Sequence, residues 1–471
     1  MIKATLTLAS LSPASLQSGS GCGTTTTDRP GEFRNMSIDL SELKRSDFPS
    51  CVRKGLYQLE EVLHMPHVPL HHELQQHIMD QFVFCYCDSS SKIRAIGPVE
   101  ELVVVRELSQ HLGKMVDTAS RNSLFITLFH PSSHDPRTAH KLRILSALVS
   151  LAIATHNVSV LEATAVWMQQ VCCLSGFSGE VCRGLVQDYF QLTPSAPPHF
   201  AAALRAMPTM APLFTANLIT TLSQLYAKIG SGEMCERPPD ALVSTIVWWL
   251  KGTPGLPPHL ALVPLTNSLP GVSLPMTAVP PLAPLMKWCV EAPFFEQTND
   301  SSETLKRKVK MMKTETELEK ATIGPSPSSS SPPPSSSTSS SPPVSFKPPP
   351  LSDTSNDVYS QLHLSILQTL QNVPSVRARM TQKQVLCPKH VTSVVDAVSE
   401  RIRSSNSSNT NNQMADEEAI DLALNRLAQT ILVALQTESL SGSLSDMWDS
   451  LHRLPKKNRL ISTLLSSREA R

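Results

Sequence analysis

The sequence predicts an all-α protein, an irregular α-solenoid of stacked, HEAT-like helical hairpins with a helical C-terminal part after a disordered linker. Two observations lead to this prediction. Apolar residues recur at helical spacing over most of the chain, whereas alternation with a period of two is nearly absent. The helical pattern stops once, at a basic and Ser/Pro-rich stretch, and then resumes. Because no sequence signature of fixed period accompanies it, the solenoid is an architectural inference only.

Composition divides the chain into folded and unfolded segments. With 471 residues, 41% of them hydrophobic, the chain is long enough to bury a core in each folded part. Segments rich in Ser, Thr, Gly or Pro cannot bury enough apolar surface to offset chain entropy, so they predict disorder. The segments are a disordered extension (1–35), an N-terminal helical body (36–295), a disordered linker (296–353), a C-terminal helical part (354–466, with a loop at about 404–413) and a tail (467–471).

The helices of the N-terminal body are predicted from apolar residues that share one face. They span residues 52–63, 73–86, 99–116, 123–129, 141–155, 160–171, 181–192, 212–229 and 241–250. The best-marked start is Ser159, whose hydroxyl forms a capping box with Glu162. Residues 142–153 are apolar nearly all round, so they predict a helix at the centre of the body, paired with the helix that follows.

Further helices are predicted on both sides of the linker. Prolines interrupt residues 254–284 and break that stretch into short pieces, and a short helix follows around residues 285–290. After the linker, helices are predicted from Tyr359 onward, over 388–402, and over a last segment whose apolar stripe includes Leu424, Leu427, Ile431 and Leu435. The surface that covers these stripes is left open between the N-terminal body, the stripes themselves and another subunit.

Charge and cysteine usage exclude several function classes. The 41 Lys and Arg residues balance 40 Asp and Glu, so the chain has no overall positive field, and direct nucleic-acid binding is not expected. No apolar segment predicts a membrane anchor. The ten cysteines are scattered, mostly within apolar stretches, which indicates a reducing compartment, nuclear or cytosolic.

Patterns that carry chemistry are weak or incomplete. The histidines of 64–77, with Cys85 and Cys87, lack the ligand spacing of a zinc site. The segment around Ser178 comes near a nucleophile elbow, but Glu180 stands where the last glycine is required and no strand is predicted before it. No Gly-rich phosphate loop is present. The sequence therefore predicts no catalytic residue, no cofactor and no metal, and favours a non-enzymatic protein.

Three groups of residues are candidates for function. The basic cluster Lys306, Arg307, Lys308, Lys310 and Lys313 is either a solvated charge run or a nuclear import signal. Prolines follow Ser326, Ser331 and Ser341, which predicts phosphorylation by proline-directed kinases. Adjacent helical positions point about 100° apart, so one of Trp248 and Trp249 is expected to be exposed as an interface anchor. The remaining interface candidates are Leu424, Leu427, Ile431 and Leu435.

Several ordered blocks resemble one known family, Integrator complex subunit 15. They are KLRILSALVSLAIATHNVSVLEATAVWMQ (141–169), PPLAPLMKWCVEAP (280–293) with a basic linker after it, YSQLHLSILQTL (359–370), LALNRLAQTILVAL (422–435) and HRLPKKNRL (452–460). The resemblance covers roughly residues 36–465. The chain departs from the family pattern in its long Ser/Pro tract and in having no Pro/His-rich segment after the last helix.

The resemblance implies a non-catalytic scaffold or adaptor subunit of the nuclear Integrator complex, the RNA polymerase II-associated assembly that processes snRNA 3′ ends and attenuates transcription. It implies contacts with other Integrator subunits, in particular a link to the module of subunits 10, 13 and 14, and only an indirect association with RNA polymerase II. The alternative from the residues themselves is a helical nucleic-acid-binding adaptor that uses 306–313, Lys456, Lys457 and Arg459.

Overall fold

The computed structural model describes the helical parts of the chain. The described residues are 43–64, 71–87, 93–131, 137–171, 176–191, 198–228, 235–253, 256, 263–264, 282–295, 355–376, 380–381, 386–407, 413–440, 442–455 and 458–469. Over these residues the fold is all-α, which confirms the predicted fold class. The small β content is two antiparallel pairs, β1 (Cys85–Cys87) with β2 (Ile93–Ala95), and β3 (Val263–Pro264) with β4 (Met380–Thr381).

Ten helices precede residue 253 in the described part of the chain. They are α1 (Ser50–Leu63), α2 (His71–Ile78), α3 (Pro98–Lys114), α4 (Thr118–Leu128), α5 (Thr138–Thr155), α6 (Val158–Val171), α7 (Gly176–Val186), α8 (Pro198–Met210), α9 (Pro212–Ala227) and α10 (Asp240–Gly252). Single π-helical turns follow α2 and α7, at Met79–Val83 and Gln187–Gln191.

Six more helices complete the described residues. They are α11 (Leu282–Glu291), α12 (Ser355–Val376), α13 (Pro388–Ser407), α14 (Gln413–Gln436), α15 (Ser445–Leu451) and α16 (Arg459–Glu469). A 3₁₀ turn, Ala292–Phe294, extends α11.

The hairpin of α5 and α6 forms the centre of the N-terminal body, as predicted. Helix α5 packs against α3, α7 and α8, and α6 packs against α4 and α9. The two helices are joined at His156, which adopts a left-handed conformation with φ 56°. The Asn157 N–H then donates to Ala152 O at 2.9 Å, so the turn satisfies a carbonyl that the helix end leaves open.

The predicted capping box at Ser159 is wrong. Helix α6 begins at Val158, and its cap is Asn157, whose Oδ1 accepts a hydrogen bond from the Val160 N–H at 3.4 Å. Because the turn at His156 is so tight, the helix starts earlier than the pattern indicated and Ser159 lies inside its first turn. Glu162 instead accepts a hydrogen bond from Arg121 Nη2 at 2.7 Å.

Other helix boundaries differ at prolines and at short strands. The predicted helix 73–86 ends earlier, in a π-helical turn, and its last residues form β1. Helix α8 is not in the prediction, because Pro198 and Pro208 read as helix breakers. Pro198 occupies the first turn, where no intrahelical N–H is required. Pro208 lies inside α8 near its end, where few helical hydrogen bonds remain to be lost.

The C-terminal helices pack on the N-terminal body, which answers the question that the sequence left open. Helix α12 packs against α10 and α11, and α13 and α14 also contact α11. Every residue of α11 from Leu282 to Glu291 is buried. The buried apolar side chains of both parts belong to one continuous core that runs from Leu43 to Leu465. None of the helices in the described residues is long and apolar enough to cross a membrane.

Candidate functional site

A buried arginine joins three helices from both sides of the linker. The Arg426 side chain on α14 is 3% exposed. Its Nη1 donates to Cys289 O on α11 at 2.7 Å, and its Nη2 donates to Ser360 Oγ on α12 at 2.9 Å. Burial lowers the pKa of the guanidinium from its ordinary value, although the group stays cationic. The hydrogen bonds offset part of the desolvation cost and fix the three helices relative to one another.

A neutral histidine lies beside Arg426. His363 Nε2 on α12 lies 3.1 Å from Arg426 O and 3.1 Å from Thr430 Oγ1. Burial is the larger cause and the nearby Arg426 charge the smaller one, and together they lower the pKa of His363 to about 4. The ring is therefore neutral at physiological pH. Because a carbonyl only accepts, the proton lies on Nε2 and is donated to Arg426 O.

A buried charge pair, Lys287 and Glu291, connects α11 to the end of α9. Lys287 and Glu291 are each 1% exposed. Lys287 Nζ donates to Ala227 O at 2.8 Å and lies 3.8 Å from Glu291 Oε1. Glu291 Oε2 accepts from the Cys235 N–H at 2.6 Å. Burial raises the pKa of Glu291, and the Lys287 charge acts against this increase.

We call Arg426, His363, Lys287 and Glu291, with their partners, the polar seam. The side chains of Arg426, His363, Lys287 and Glu291 are themselves at most 6% exposed, so these four groups are shielded from solvent. The seam contains a charge pair and a neutral base, and each of these groups contacts backbone or side-chain groups elsewhere in the chain. Its arrangement fixes how the helices of the described residues pack.

The adjacent tryptophans lie in opposite environments. Trp249 is fully buried, and its Nε1 donates to Leu204 O at 2.8 Å. Leu204 O is the carbonyl four residues before Pro208, which has no N–H to donate to it. Trp249 therefore supplies the hydrogen bond that Pro208 cannot make. Trp248 is 44% exposed, which agrees with the expectation that one member of the pair faces outward.

The remaining interface candidates face the chain's own core. Leu424, Leu427 and Ile431 are at most 2% exposed on α14. Leu435 is partly buried and packs on the same core. A second apolar surface was needed to cover this stripe, and α11 with α12 provides it within the same chain. These four leucine and isoleucine residues therefore contribute to intramolecular packing, and Trp248 is the candidate left on the surface.

Many of the charged and phosphorylation candidates lie outside the described residues. These are Lys306, Arg307, Lys308, Lys310, Lys313, Ser326, Ser331, Ser341, Lys456 and Lys457. Arg459 is described and is exposed at the first position of α16. The basic cluster and the three serines remain predictions.

The metal and nucleophile patterns of the sequence lie in different elements, with Cys85 and Cys87 in β1, Ser178 in α7 and His67 outside the described residues. His64 Nδ1 lies 2.7 Å from Glu60 O and its Nε2 lies 2.9 Å from Ser120 Oγ, so both ring nitrogens have partners. Within the part of the chain that the structure describes, no group of three or more His, Cys, Asp and Glu residues could hold a metal ion. Ser178 is fully buried in the first turn of α7.

Sequence reasoning missed a surface between α1 and α3. Glu107 on α3 is 3% exposed, and its carboxylate accepts from Arg53 Nε at 2.9 Å and Nη2 at 3.0 Å, and from Arg106 Nη2 at 3.3 Å. The exposed side chains Tyr57, Val99 and Leu102 lie on the same two helices. We call Arg53, Tyr57, Val99, Leu102 and Arg106 the α1–α3 face. The exposed apolar positions Val99 and Leu102, three residues apart, were the signal, but helical spacing alone does not separate an exposed pair from a core pair.

Comparison with known proteins identifies the family. The family model described as Integrator complex subunit 15 matches residues 39–456. The chain belongs to the Integrator complex subunit 15 family. This confirms the resemblance, and because the match runs across the linker, it assigns the N-terminal body and the C-terminal helices to one family unit.

Named members of the Integrator complex subunit 15 family share about a quarter of their residues with the chain. The human protein is 25% identical over 445 residues, which cover 90% of this chain and 86% of the human protein. The zebrafish (Danio rerio) protein is 26% identical over 395 residues, which cover 81% of this chain and 70% of the zebrafish protein. The Drosophila melanogaster protein is 27% identical over 275 residues, which cover 55% of this chain and 70% of the Drosophila protein.

Proposed function

We propose that the chain is a non-catalytic scaffold or adaptor subunit of the nuclear Integrator complex, where it joins subunit modules that act in snRNA 3′-end processing and transcription attenuation. The observation that carries this proposal is the family match over residues 39–456 to proteins named Integrator complex subunit 15. Its partners are then other Integrator subunits, with the module of subunits 10, 13 and 14 as the first to test, and RNA polymerase II is reached through them.

The placement of polar groups supports a non-catalytic role. The groups of the polar seam whose pKa values are shifted by burial, such as His363 and Glu291, are hydrogen-bonded to other parts of the chain. Active sites place such shifted groups in a cleft that substrate can enter. In the seam, the same groups tie distant parts of the chain together. A rigid helical stack of this kind presents its outer faces to partner proteins.

Trp248 supplies a specific contact candidate on the outer face of α10. Tryptophan is enriched among residues that dominate binding energy at protein interfaces. Next to it in the same helix, Lys251 Nζ donates to Gln361 Oε1 on α12 at 3.2 Å, and α12 carries the exposed Leu364. The exposed side chains Trp248 and Leu364 thus flank a contact between the two helical parts. We propose this region as one partner-binding surface.

Affinity purification with crosslinking mass spectrometry tests the proposal. The full-length chain, tagged and expressed in cells of its own species, is expected to recover Integrator subunits, with crosslinks to one or more of subunits 10, 13 and 14. A Trp248→Ala variant is expected to recover fewer of them, whereas the control Arg403→Ala, at an exposed position of α13, is not. Recovery of no Integrator subunit by the wild-type chain would refute the proposal.

The basic cluster gives a separate test of localisation. Replacement of Lys306, Arg307, Lys308, Lys310 and Lys313 by alanine is expected to move a fluorescent fusion from the nucleus to the cytoplasm if the cluster is an import signal. Purified wild-type chain is also tested for RNA binding at two salt concentrations. Salt-dependent binding that the same replacements abolish would favour the nucleic-acid-binding alternative, because phosphate contacts weaken steeply with ionic strength.

A further inference from the structure

The exposed apolar side chains of the structure are concentrated at its N-terminal end. Of the six large hydrophobic side chains that are exposed in the described residues, Tyr57 lies on α1, Val99 and Leu102 lie on α3, and Val116 lies just after α3. Their exposures are 50%, 73%, 66% and 94%. Single exposed apolar residues are common on protein surfaces, but four of these six lie on or just after two adjoining helices.

Contacts between α1 and α3 show how these residues are arranged. Arg53 contacts Glu107, and Tyr57, one turn later, packs edge to face on His111, with ring centroids 4.8 Å apart. The pairing advances in the same direction on both helices, so α1 and α3 run parallel at this contact. His111 follows Leu102 by nine residues on α3, which is about 14 Å at a rise of 1.5 Å per residue. Tyr57, which packs on His111, is therefore separated from Leu102 by about this distance along the helix axis.

The charges at the centre of this arrangement are unequal. Two guanidiniums, Arg53 and Arg106, share the single carboxylate of Glu107. Their side chains are 53% and 59% exposed, whereas that of Glu107 is 3% exposed. Between Tyr57 and Leu102, the α1–α3 face thus presents net positive charge. Guanidiniums are well suited to bind further carboxylates because of their planar fork of donors.

We propose that the α1–α3 face is the docking site for an acidic amphipathic helix of another Integrator subunit, an inference that rests on the proposed function. Two apolar side chains of that helix, about three turns apart, would contact Tyr57 at one end and Leu102 with Val99 at the other. Carboxylates in the turns between them would pair with Arg53 and Arg106.

The composition of the face argues for this occupant over two others. A second copy of the chain, docked symmetrically on the same face, would bring arginines against arginines, and like charges in an interface are unfavourable. Nucleic acid would supply negative charge, but its phosphate backbone has nothing to cover the aliphatic side chains of Val99 and Leu102. An acidic helix with an apolar stripe satisfies both the charge and the exposed apolar surface.

Reconstitution with purified proteins tests the inference. The full-length chain is mixed with recombinant Integrator subunits of the same species, singly and as the module of subunits 10, 13 and 14, and binding is measured by biolayer interferometry. Leu102→Asp and Arg106→Glu are each expected to weaken binding about tenfold or more, because they place a carboxylate in the path of the acidic helix. The matched control is Arg183→Glu, since Arg183 is 54% exposed and pairs with Glu180 in the same chain.

The occupant itself is identified by a photo-crosslinker. Tyr57→p-benzoylphenylalanine keeps an aromatic side chain at the face, and the crosslinked segment is expected to be an acidic amphipathic helix. A synthetic peptide of that segment, with its Glu residues changed to Lys, is expected to bind the Arg106→Glu variant more tightly than the wild-type chain. Thermal unfolding is the control for folding. Each variant is expected to unfold at the same temperature as the wild-type chain, so a loss of binding cannot be attributed to a loss of folding.

Different results overturn different statements. If the wild-type chain binds Integrator subunits and both variants bind them equally well, the α1–α3 face is not the docking site, and the proposed function stands. If the crosslinked segment is basic, or if the two variants reduce RNA binding and leave subunit binding unchanged, the proposed occupant is wrong. If the wild-type chain binds no Integrator subunit, the proposed function fails and this inference fails with it.

Discussion

Phe295 and Tyr359 lie at opposite ends of the longest stretch without described structure, residues 296–354, and their rings are in contact. The ring centroids are 5.8 Å apart with an interplanar angle of 61°. Tyr359 is also fully packed, at 2% exposure, and burial raises the pKa of its phenol. The described residues on the two sides of the linker are therefore in direct contact, where α11 and α12 pack together.

Shortening the linker is expected to stabilise the protein. If a 15-residue Gly/Ser segment replaced residues 296–354, the free energy of unfolding would rise by about 1 kcal/mol, since a shorter loop loses less entropy on closure. Urea denaturation checks this, with an unchanged m value indicating that the same surface is buried. A large loss of stability would show that the replaced residues contribute contacts of their own.

The fold class was predictable because it depends on periodicity alone. The central hairpin of α5 and α6 and the long stripe of α14 have strong apolar spacing, so their existence could be predicted and their boundaries nearly so. Helix α8 could not, because its prolines contradict the local pattern. Its stability depends on Trp249, which is distant in sequence and donates to the carbonyl that Pro208 leaves without an intrahelical partner.

The candidate sites were less predictable for a physical reason. A stripe such as Leu424, Leu427 and Ile431 has the same spacing whether it covers the chain's own core or a partner. Only the packing of α11 and α12 on α14 shows that this stripe is internal. The polar seam was also hidden, because the acceptors of Arg426 and Lys287 include the backbone carbonyls of Cys289 and Ala227, and any residue type supplies these.

Breaking the seam is expected to cost far more than breaking a surface ion pair. Arg426→Met leaves Cys289 O and Ser360 Oγ without their partner and should lower the free energy of unfolding by about 3 kcal/mol. The matched change is Arg403→Met, at a 71% exposed side chain that pairs with Glu400, and it should cost at most about 0.5 kcal/mol. Urea titrations of both variants measure the difference, and equal midpoints would contradict it.

The tryptophan pair separates stability from binding. Trp249→Ala removes a fully buried ring and the hydrogen bond to Leu204 O, so a loss of about 3–5 kcal/mol is expected. Trp248→Ala, one position earlier on the exposed face, should change stability by less than about 1 kcal/mol. Thermal unfolding measures both. If Trp248→Ala destabilised the protein as much as Trp249→Ala, Trp248 would be a packing residue and not a candidate for partner contact.

Protonation of His363 is expected to make stability depend on pH. In the folded chain the pKa of His363 is about 4, below its ordinary value of 6.5. Between these two values the unfolded chain binds a proton that the folded chain does not, so the free energy of unfolding falls as the pH is lowered through this window. The contribution lost between pH 7 and pH 5 is about 2 kcal/mol.

The comparison of wild-type chain with His363→Gln isolates this contribution. Burial also lowers the pKa of His111, His140 and His390, and raises that of Glu291, but these groups titrate in both proteins. Urea denaturation at pH 7 and pH 5 should therefore show a smaller loss of stability in the variant, and His452→Gln, at an exposed position, should behave like the wild type. Equal losses in wild-type and His363→Gln proteins would mean that the ring is accessible to protons without unfolding, and that the seam opens between α12 and α14 in the native state.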